Sequence, residues 1–478
     1  MWTTTTRTMI LAAAVALMLI AVGCSGDPDE PATAQPPSPT PTEVPEQIVG
    51  IRGATGLGDP AFPMFGNGGY DISHYDLDLT VYPDANTLIA IADIQLTATA
   101  NLLAFNFDFA GPEISEILVN GESAAFSRDE NELTIETPDV IRDGSEFTVR
   151  VEYGGTPKPF YFPGFPVMGW TRTLLRHSIV VHGFSYALIP GNQTQLDKAT
   201  YTLKVTAPHP FVVSASGTLT STVDHGDTAT FTWDVPWPVG GIHFVVSEST
   251  IESVPGPNGI SINNYFPDDV SDATKKEFDI IAEVIELFSD KFGPYPYDSF
   301  GITYLPEFVD FSAFAITGGA LVHRVDSRTI AHEIAHQWYG HSVSWAGFSD
   351  NWLNEGFATY GELLWVEHVD GVDAASHAAE ALRTAIGPTT RPPAIVKTSK
   401  DVRDGSAYAR GGLTLHALRS ELGDDDFFDV MRTYSERFKY GAASTADFIA
   451  VAEEVSQQDL AEFFDGWVYS EAVPALTP

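Results

Sequence analysis

Residues 327–360 read SRTIAHEIAHQWYGHSVSWAGFSDNWLNEGFATY, and the fold has to be built around this stretch. It opens on His332-Glu333-Ile334-Ala335-His336, an H-E-x-x-H pattern. On a helix, residues four apart share a face, so His332 and His336 can reach one Zn²⁺ ion together. Ile330, Ile334 and Trp338 fall on another face and predict a core anchor, with Asp326 or Ser327 capping the start and Gly340 the end. Eighteen residues separate His336 from Glu355, which lies in Asn351-Trp352-Leu353-Asn354-Glu355-Gly356-Phe357-Ala358-Thr359-Tyr360. That run predicts a second helix, capped by Asp350 or Asn351, with Glu355 as the third ligand. Two imidazoles and one carboxylate leave a fourth position open, the pattern of reactive rather than structural zinc sites, with one zinc per chain. Glu333 lies beside the metal without binding it, where a carboxylate can take a proton from water and pass it on.

The same residues carry a resemblance. H-E-x-x-H followed after eighteen residues by the Glu of N-E-G-F-A resembles the signature of the gluzincin aminopeptidases, the family of aminopeptidase N. The likeness continues through Tyr70-Asp71-Ile72-Ser73-His74-Tyr75, Pro190 to Lys198-Ala199, Lys291-Phe292-Gly293-Pro294-Tyr295-Pro296-Tyr297, Trp338-Tyr339-Gly340, Tyr360-Gly361-Glu362 and Phe463-Phe464-Asp465-Gly466-Trp467. It spans about Gly69 to Leu476. It implies an α+β multidomain fold, with an N-terminal antiparallel β sandwich or saddle followed by a mainly helical thermolysin-like zinc peptidase domain. It also implies a catalytic tyrosine in a Y-x-K/R-G context that donates to an oxyanion, which here is Tyr408 of Tyr408-Ala409-Arg410-Gly411.

Two departures qualify the implied activity. The family holds a substrate's free amine with the Glu of a G-A-M-E-N motif, whereas Phe311–Val322 contains no acidic residue. One alignment puts Thr317 at that position, and Gly318-Gly319 could offer a strand edge to a peptide backbone. Thr317, Gly318 and Gly319 are therefore the substrate-binding candidates. The family's second anchor, a Gln or Glu, is not recognisable around Ser178–Tyr186, and Glu307 and Asp310 are the nearest acidic substitutes. An ammonium without an anion in a partly dry site is costly, so altered or relaxed recognition of the N-terminus is expected. The chain also closes where the catalytic domain closes, without the helical cover of larger family members, which favours a more open cleft. The alternative is a non-catalytic zinc-containing binding lipoprotein on the same fold. A serine hydrolase is set aside because Gly183-Phe184-Ser185-Tyr186-Ala187 lacks the last glycine of G-x-S-x-G.

Working outward, Tyr75–Tyr82, Phe147–Tyr153 and Thr200–Val205 alternate apolar and polar residues, separated by turns such as Asn120-Gly121. A β domain is expected over 66–255 and the catalytic domain over 260–478, with helices near 273–292, 330–338, 352–368, 413–422 and 446–455. Residues 24–65 begin with a Pro-rich stretch and read as a disordered spacer. Arg7 and the apolar run Met9–Val22 read as a signal peptide over 1–23. Ala21-Val22-Gly23-Cys24 resembles a bacterial lipobox, and Cys24 is the only cysteine, which removes disulfides and thiolate ligands together. Lipidation at Cys24 is expected to tether the protein to the cell surface or the periplasmic side of a bacterial membrane, its only membrane contact. With 64 acidic against 25 basic residues and a net charge of −39, nucleic acid is excluded as a partner, leaving a peptide or protein substrate.

Overall fold

Alternation along Tyr70–Tyr82 buries Tyr75, Leu77, Leu79 and Val81 and turns Asp76, Asp78 and Thr80 outward. In the computed structural model of the chain, which describes residues 49–161, 165, 167–307 and 312–476, this strand lies inside an eight-stranded sheet. Thr87–Ala98 and Ala199–Pro208 flank it. A four-stranded sheet packs Phe105, Phe107, Leu133 and Ile135 onto the buried face, which makes the expected sandwich. One pairing in the large sheet is parallel, that of Ala199–Pro208 with Tyr70–Tyr82. No hairpin joins these two strands, so nothing local forces them antiparallel. Tyr75 and Tyr201 face each other in register, with ring centroids 4.6 Å apart.

A third, five-stranded sheet carries Ile179–His182 and Phe244–Ser247 against the second half of the chain. Val180 and Val245 pack on Leu305, Ile316 and Leu321, and Gly217 N–H donates to the Thr317 carbonyl at 2.9 Å.

The second half has its own six-stranded sheet. Thr250–Pro255, read from sequence as the close of the β domain, pairs instead with Ser261–Phe266 in this sheet. Helix α1 (Ile281–Phe292) buries Ile281, Val284, Ile285, Phe288 and Phe292, an apolar face of helical period. The expected helix over 273–292 is divided, since Asp272–Lys276 forms a separate short helix. Around the site stand α2 (Ser327–Ala335), α3 (Trp352–Asp370), α4 (Val372–Ile386), α5 (Gly411–Leu422), α6 (Asp424–Arg437) and α7 (Thr445–Ser456). Most of α3 is buried on all sides, so it is the central element of the helical half.

The spacer ends earlier than expected. Ile51–Arg52 forms a parallel bridge to Leu102–Asp108, and Phe62 is buried among Phe65, Phe184 and Phe348. Unlike the Pro-rich stretch before it, this part carries Phe62 and Phe65, whose burial offsets the cost of its ordering. The signal segment, Cys24 and the spacer through residue 48 lie outside the described residues.

Candidate metal centre and cleft

Asp326 caps α2, its Oδ1 accepting the Thr329 N–H at 3.0 Å. The helix ends at Ala335, and His336 takes the cap position with helical backbone angles. Gly340 lies beyond this end and has a different duty, because a side chain there would strike Asn354 of α3. Helix α3 is entered through a 3₁₀ turn (Phe348–Asp350), and Asn351 makes no cap hydrogen bond. Asp350 Oδ1 accepts instead from the Thr445 N–H and hydroxyl, both at 2.8 Å, and Asn351 Nδ2 donates to the Val402 carbonyl at 2.8 Å. The expected caps thus fasten α3 to its neighbours.

Glycines set the closest helix contact. A Cβ on Gly356 would lie 2.7 Å from the Gly411 backbone, so α3 and α5 touch main chain to main chain. Gly356 directly follows Glu355, and Gly411 closes the π-helical turn Ser406–Arg410 that carries Tyr408. The glycines of N-E-G-F-A and Y-x-R-G therefore bring the Glu and the Tyr together. Arg410 of the same turn is fully buried and donates to the carbonyls of Trp467, Gly466, Ser470 and Ala472 at 2.6–3.0 Å, which ties down the chain's last turn.

His332, His336 and Glu355 converge, with their ligand atoms within 4.8 Å of one another. Glu355 Oε2 lies 3.4 Å from His332 Nε2 and 3.5 Å from His336 Nε2. A tetrahedron with zinc bonds of about 2.0–2.1 Å has edges of about 3.3–3.4 Å, so the donors fit zinc. The outer nitrogens fit too: His332 Nδ1 lies 2.8 Å from Glu362 Oε1 and His336 Nδ1 3.1 Å from the Tyr339 carbonyl. As donors in those bonds they leave Nε2 as the metal-binding atom of each ring. Burial pushes the His332 imidazole down, but Glu355 and Glu362 hold it up at about 10. Burial raises Glu355 as well, but hydrogen bonds from both imidazoles keep it well below the usual carboxylate range. Such a centre demands positive charge, which a dication supplies.

Glu333 is buried beside the ligands, and burial raises its carboxyl while His332 and His336 oppose the rise. The Tyr408 ring lies nearly parallel to His332, centroids 6.1 Å apart, and burial raises its phenol, which stays protonated as a donor. All five residues line one cleft of about 770 Å³, shared with Gln193, Gln195 and His243 of the β half. Leu57, Asp59 and Phe65 of the segment read as spacer also form part of its wall, and Asp59 Oδ2 accepts the Phe348 N–H at 3.0 Å.

Thr317, Gly318 and Gly319 are placed differently from expectation. They are buried at the turn of a hairpin, Gly318 at φ +77°. Gln337 clamps that turn, accepting from Gly318 N–H at 2.9 Å and donating to the Ile316 and Gly319 carbonyls at 3.1 and 3.2 Å. The edge strand Ala313–Ile316 borders the cleft instead, through Ser312–Ala315. Glu307 faces away, 3.4 Å from Arg176 Nε and 3.5 Å from the Ser178 hydroxyl, and Asp310 lies outside the described residues. Glu362, Gln337 and Arg403 were not identified from sequence as site residues. Glu362 carried a signal, being two helical turns beyond Glu355 on the same face.

Residues 320–467 match the Peptidase family M1 domain. Aminopeptidase N of Streptomyces lividans is 23% identical over 85% of this chain and 51% of its own length. The structure of an M1 zinc metallopeptidase from Deinococcus radiodurans superposes with a TM-score of 0.80 at 29% identity, covering 88% of this chain and 98% of its own. A mutant of that enzyme bound to a Tyr-Ser-Ala substrate gives 0.81, also at 29% identity, over 88% of this chain and 99% of its own. Residues 320–467 thus carry the Peptidase family M1 domain, and the chain as a whole resembles the M1 zinc metallopeptidases. It spans about half or less of the length of the curated M1 relatives it matches. It shares the two-domain fold of the solved M1 structures, a sheet-rich part followed by a helical one.

Proposed function

We propose that this protein is a zinc-dependent peptidase of aminopeptidase type with altered or relaxed recognition of the substrate's N-terminus. The observation that carries the reading is the meeting of His332, His336 and Glu355 with Glu333 and Tyr408 on one cleft wall. His332, His336 and Glu355 would hold zinc, which when bound would supply Lewis-acid chemistry at this point of the cleft. The Glu333 carboxylate takes the proton of the attacking water and returns it to the leaving nitrogen. The Tyr408 hydroxyl donates to the carbonyl oxygen as it gains negative charge, an interaction that strengthens only in the transition state. Ala313–Ile316, the edge strand of its sheet among the described residues, borders the cleft where an extended peptide backbone can lie.

Altered recognition is supported by the absence of a carboxylate from 312–322 and by the engagement of Glu307 with Arg176. The test is hydrolysis of one peptide set with free and with N-acetylated amino ends. Cleavage of both forms within about tenfold is expected, since the 312–322 stretch supplies no carboxylate to distinguish them. Cleavage of free amines alone would show strict aminopeptidase action, and zinc-loaded protein that cleaves nothing would show a binding protein. We also propose a lipid tether at Cys24, on the strength of the small residues before a lone cysteine. Metabolic labelling with palmitate should mark the protein and be lost in Cys24→Ser; unchanged labelling would refute the tether.

A further inference from the structure

Arg403 is the sole Lys or Arg among the described residues that line the cleft, in a chain with 25 basic residues against 64 acidic ones. Its setting is the opposite of that of Arg410, whose fork is filled by carbonyls. The Nε–H of Arg403 donates to the Tyr408 phenol oxygen at 3.1 Å. The two terminal nitrogens have no hydrogen-bond partner and no carboxylate within ion-pair distance among the described residues.

The position is built. Asn351, at the entry to the helix that carries Glu355, holds the preceding carbonyl of Val402 at 2.8 Å. On the other side, Asp404 pairs with Arg391 at 2.6 Å and accepts the Ser406 N–H at 2.9 Å. The guanidinium carbon lies 6.0 Å from the centroid of the Phe165 ring. An arginine pinned on both flanks, with one donor committed to a phenol, is held for that phenol.

A phenol has one hydrogen and accepts through its oxygen, whereas a guanidinium only donates. With Arg403 on the oxygen's accepting side, the Tyr408 hydrogen has to point elsewhere, toward the metal site, where the Glu355 carboxylate accepts it in this structure. A permanent cation on the phenol oxygen also polarises the O–H bond and makes it a stronger donor, most of all where water is excluded. We infer that Arg403 is a positioning residue for Tyr408, turning its hydroxyl toward the oxygen on which charge develops and strengthening that donation. The inference rests on the role proposed above for Tyr408 and adds the residue that orients it.

A double-mutant cycle on the zinc-loaded full chain tests it, with zinc content and melting temperature measured for each variant. Tyr408→Phe should lower kcat on the order of 10²–10³-fold. Arg403→Met, which keeps length but has no donor, should lower kcat by about ten- to a hundredfold with KM nearly unchanged. In the Tyr408→Phe background the same change should cost almost nothing, because no hydroxyl is left to orient. Arg403→Lys should recover part of the loss by restoring a charged donor. An equal cost of Arg403→Met in both backgrounds would overturn the inference. So would a loss confined to KM that disappears with C-terminally amidated peptides, the mark of a substrate-carboxylate site. If Tyr408→Phe leaves kcat intact, the reading of Tyr408 itself fails; if only Arg403→Met does, this inference alone fails.

Discussion

Two carboxylates are buried in the two halves of this molecule, and their surroundings differ in one respect. Glu355 in the helical half faces two imidazoles, with Arg403 nearby, and despite burial is held well below the usual carboxylate range. Asp108 in the β half faces only neutral donors: the Gly66 and Gln193 N–H groups at 3.3 and 2.9 Å and Asn67 Nδ2 at 3.0 Å. Burial pushes it up to about 7 against those three bonds. Both carboxylates are almost fully shielded, so burial alone does not distinguish a reactive centre from a structural knot. The charge of the partners does. The Glu355 centre is stable as an ion pair and attracts a cation; the Asp108 centre joins the N-terminal segment to the loop 191–197 and favours a proton.

The strongest way to sharpen this contrast is to neutralise a carboxylate in the charged centre. Glu333→Gln keeps shape and hydrogen bonding but cannot take a proton. We expect hydrolysis to fall by about 10³–10⁴-fold, the scale of a lost general base with its positioning. Zinc measured by elemental analysis should stay near one per chain, because Glu333 is not a ligand. Retained activity would remove Glu333 from the mechanism, and loss of zinc would mean that the carboxylate serves the metal instead.

The same contrast explains what could be read from the sequence. The charged centre was legible because helix periodicity ties its spacing to geometry: histidines four positions apart, then a glutamate on a second amphipathic helix. Tyr408 followed from its local motif. Elements whose role is fixed by distant partners left less trace. Glu362 and Gln337 are ordinary polar residues until α2, α3 and the 316–319 hairpin meet. Gly318-Gly319 looked like a backbone-binding edge, but the turn they form is locked beneath the zinc helix, and the strand that borders the cleft is Ala313–Ile316. The sandwich was legible from alternation, whereas its parallel pair was not, since strand direction leaves no mark on a period of two. Residues 49–65 were misread because a Pro-rich stretch precedes them; their few aromatics matter only where Phe184 and Phe348 wait to receive them.

The smaller effect belongs to the neutral centre. The ordinary value for an aspartate is 3.8, and Asp108 in the folded protein titrates at about 7. Between these values the folded chain holds a proton that the unfolded chain has released. Stability therefore falls as pH rises from about 4 to about 7 and levels off above, the reverse of an ion-paired carboxylate. Glu132, raised to about 8 first by burial and then by Asp108, adds a change of the same sign. Asp108→Asn isolates the first group. All three donors meet the same oxygen, Oδ2, so an amide oxygen in that place can accept all of them without a charge. We expect the wild-type melting temperature to drop between pH 5 and pH 8 and the variant's to drop less, by a difference equivalent to about 2 kcal/mol. Parallel curves would mean that the three N–H donors already stabilise the ion, and that the two buried carboxylates differ less than their partners suggest.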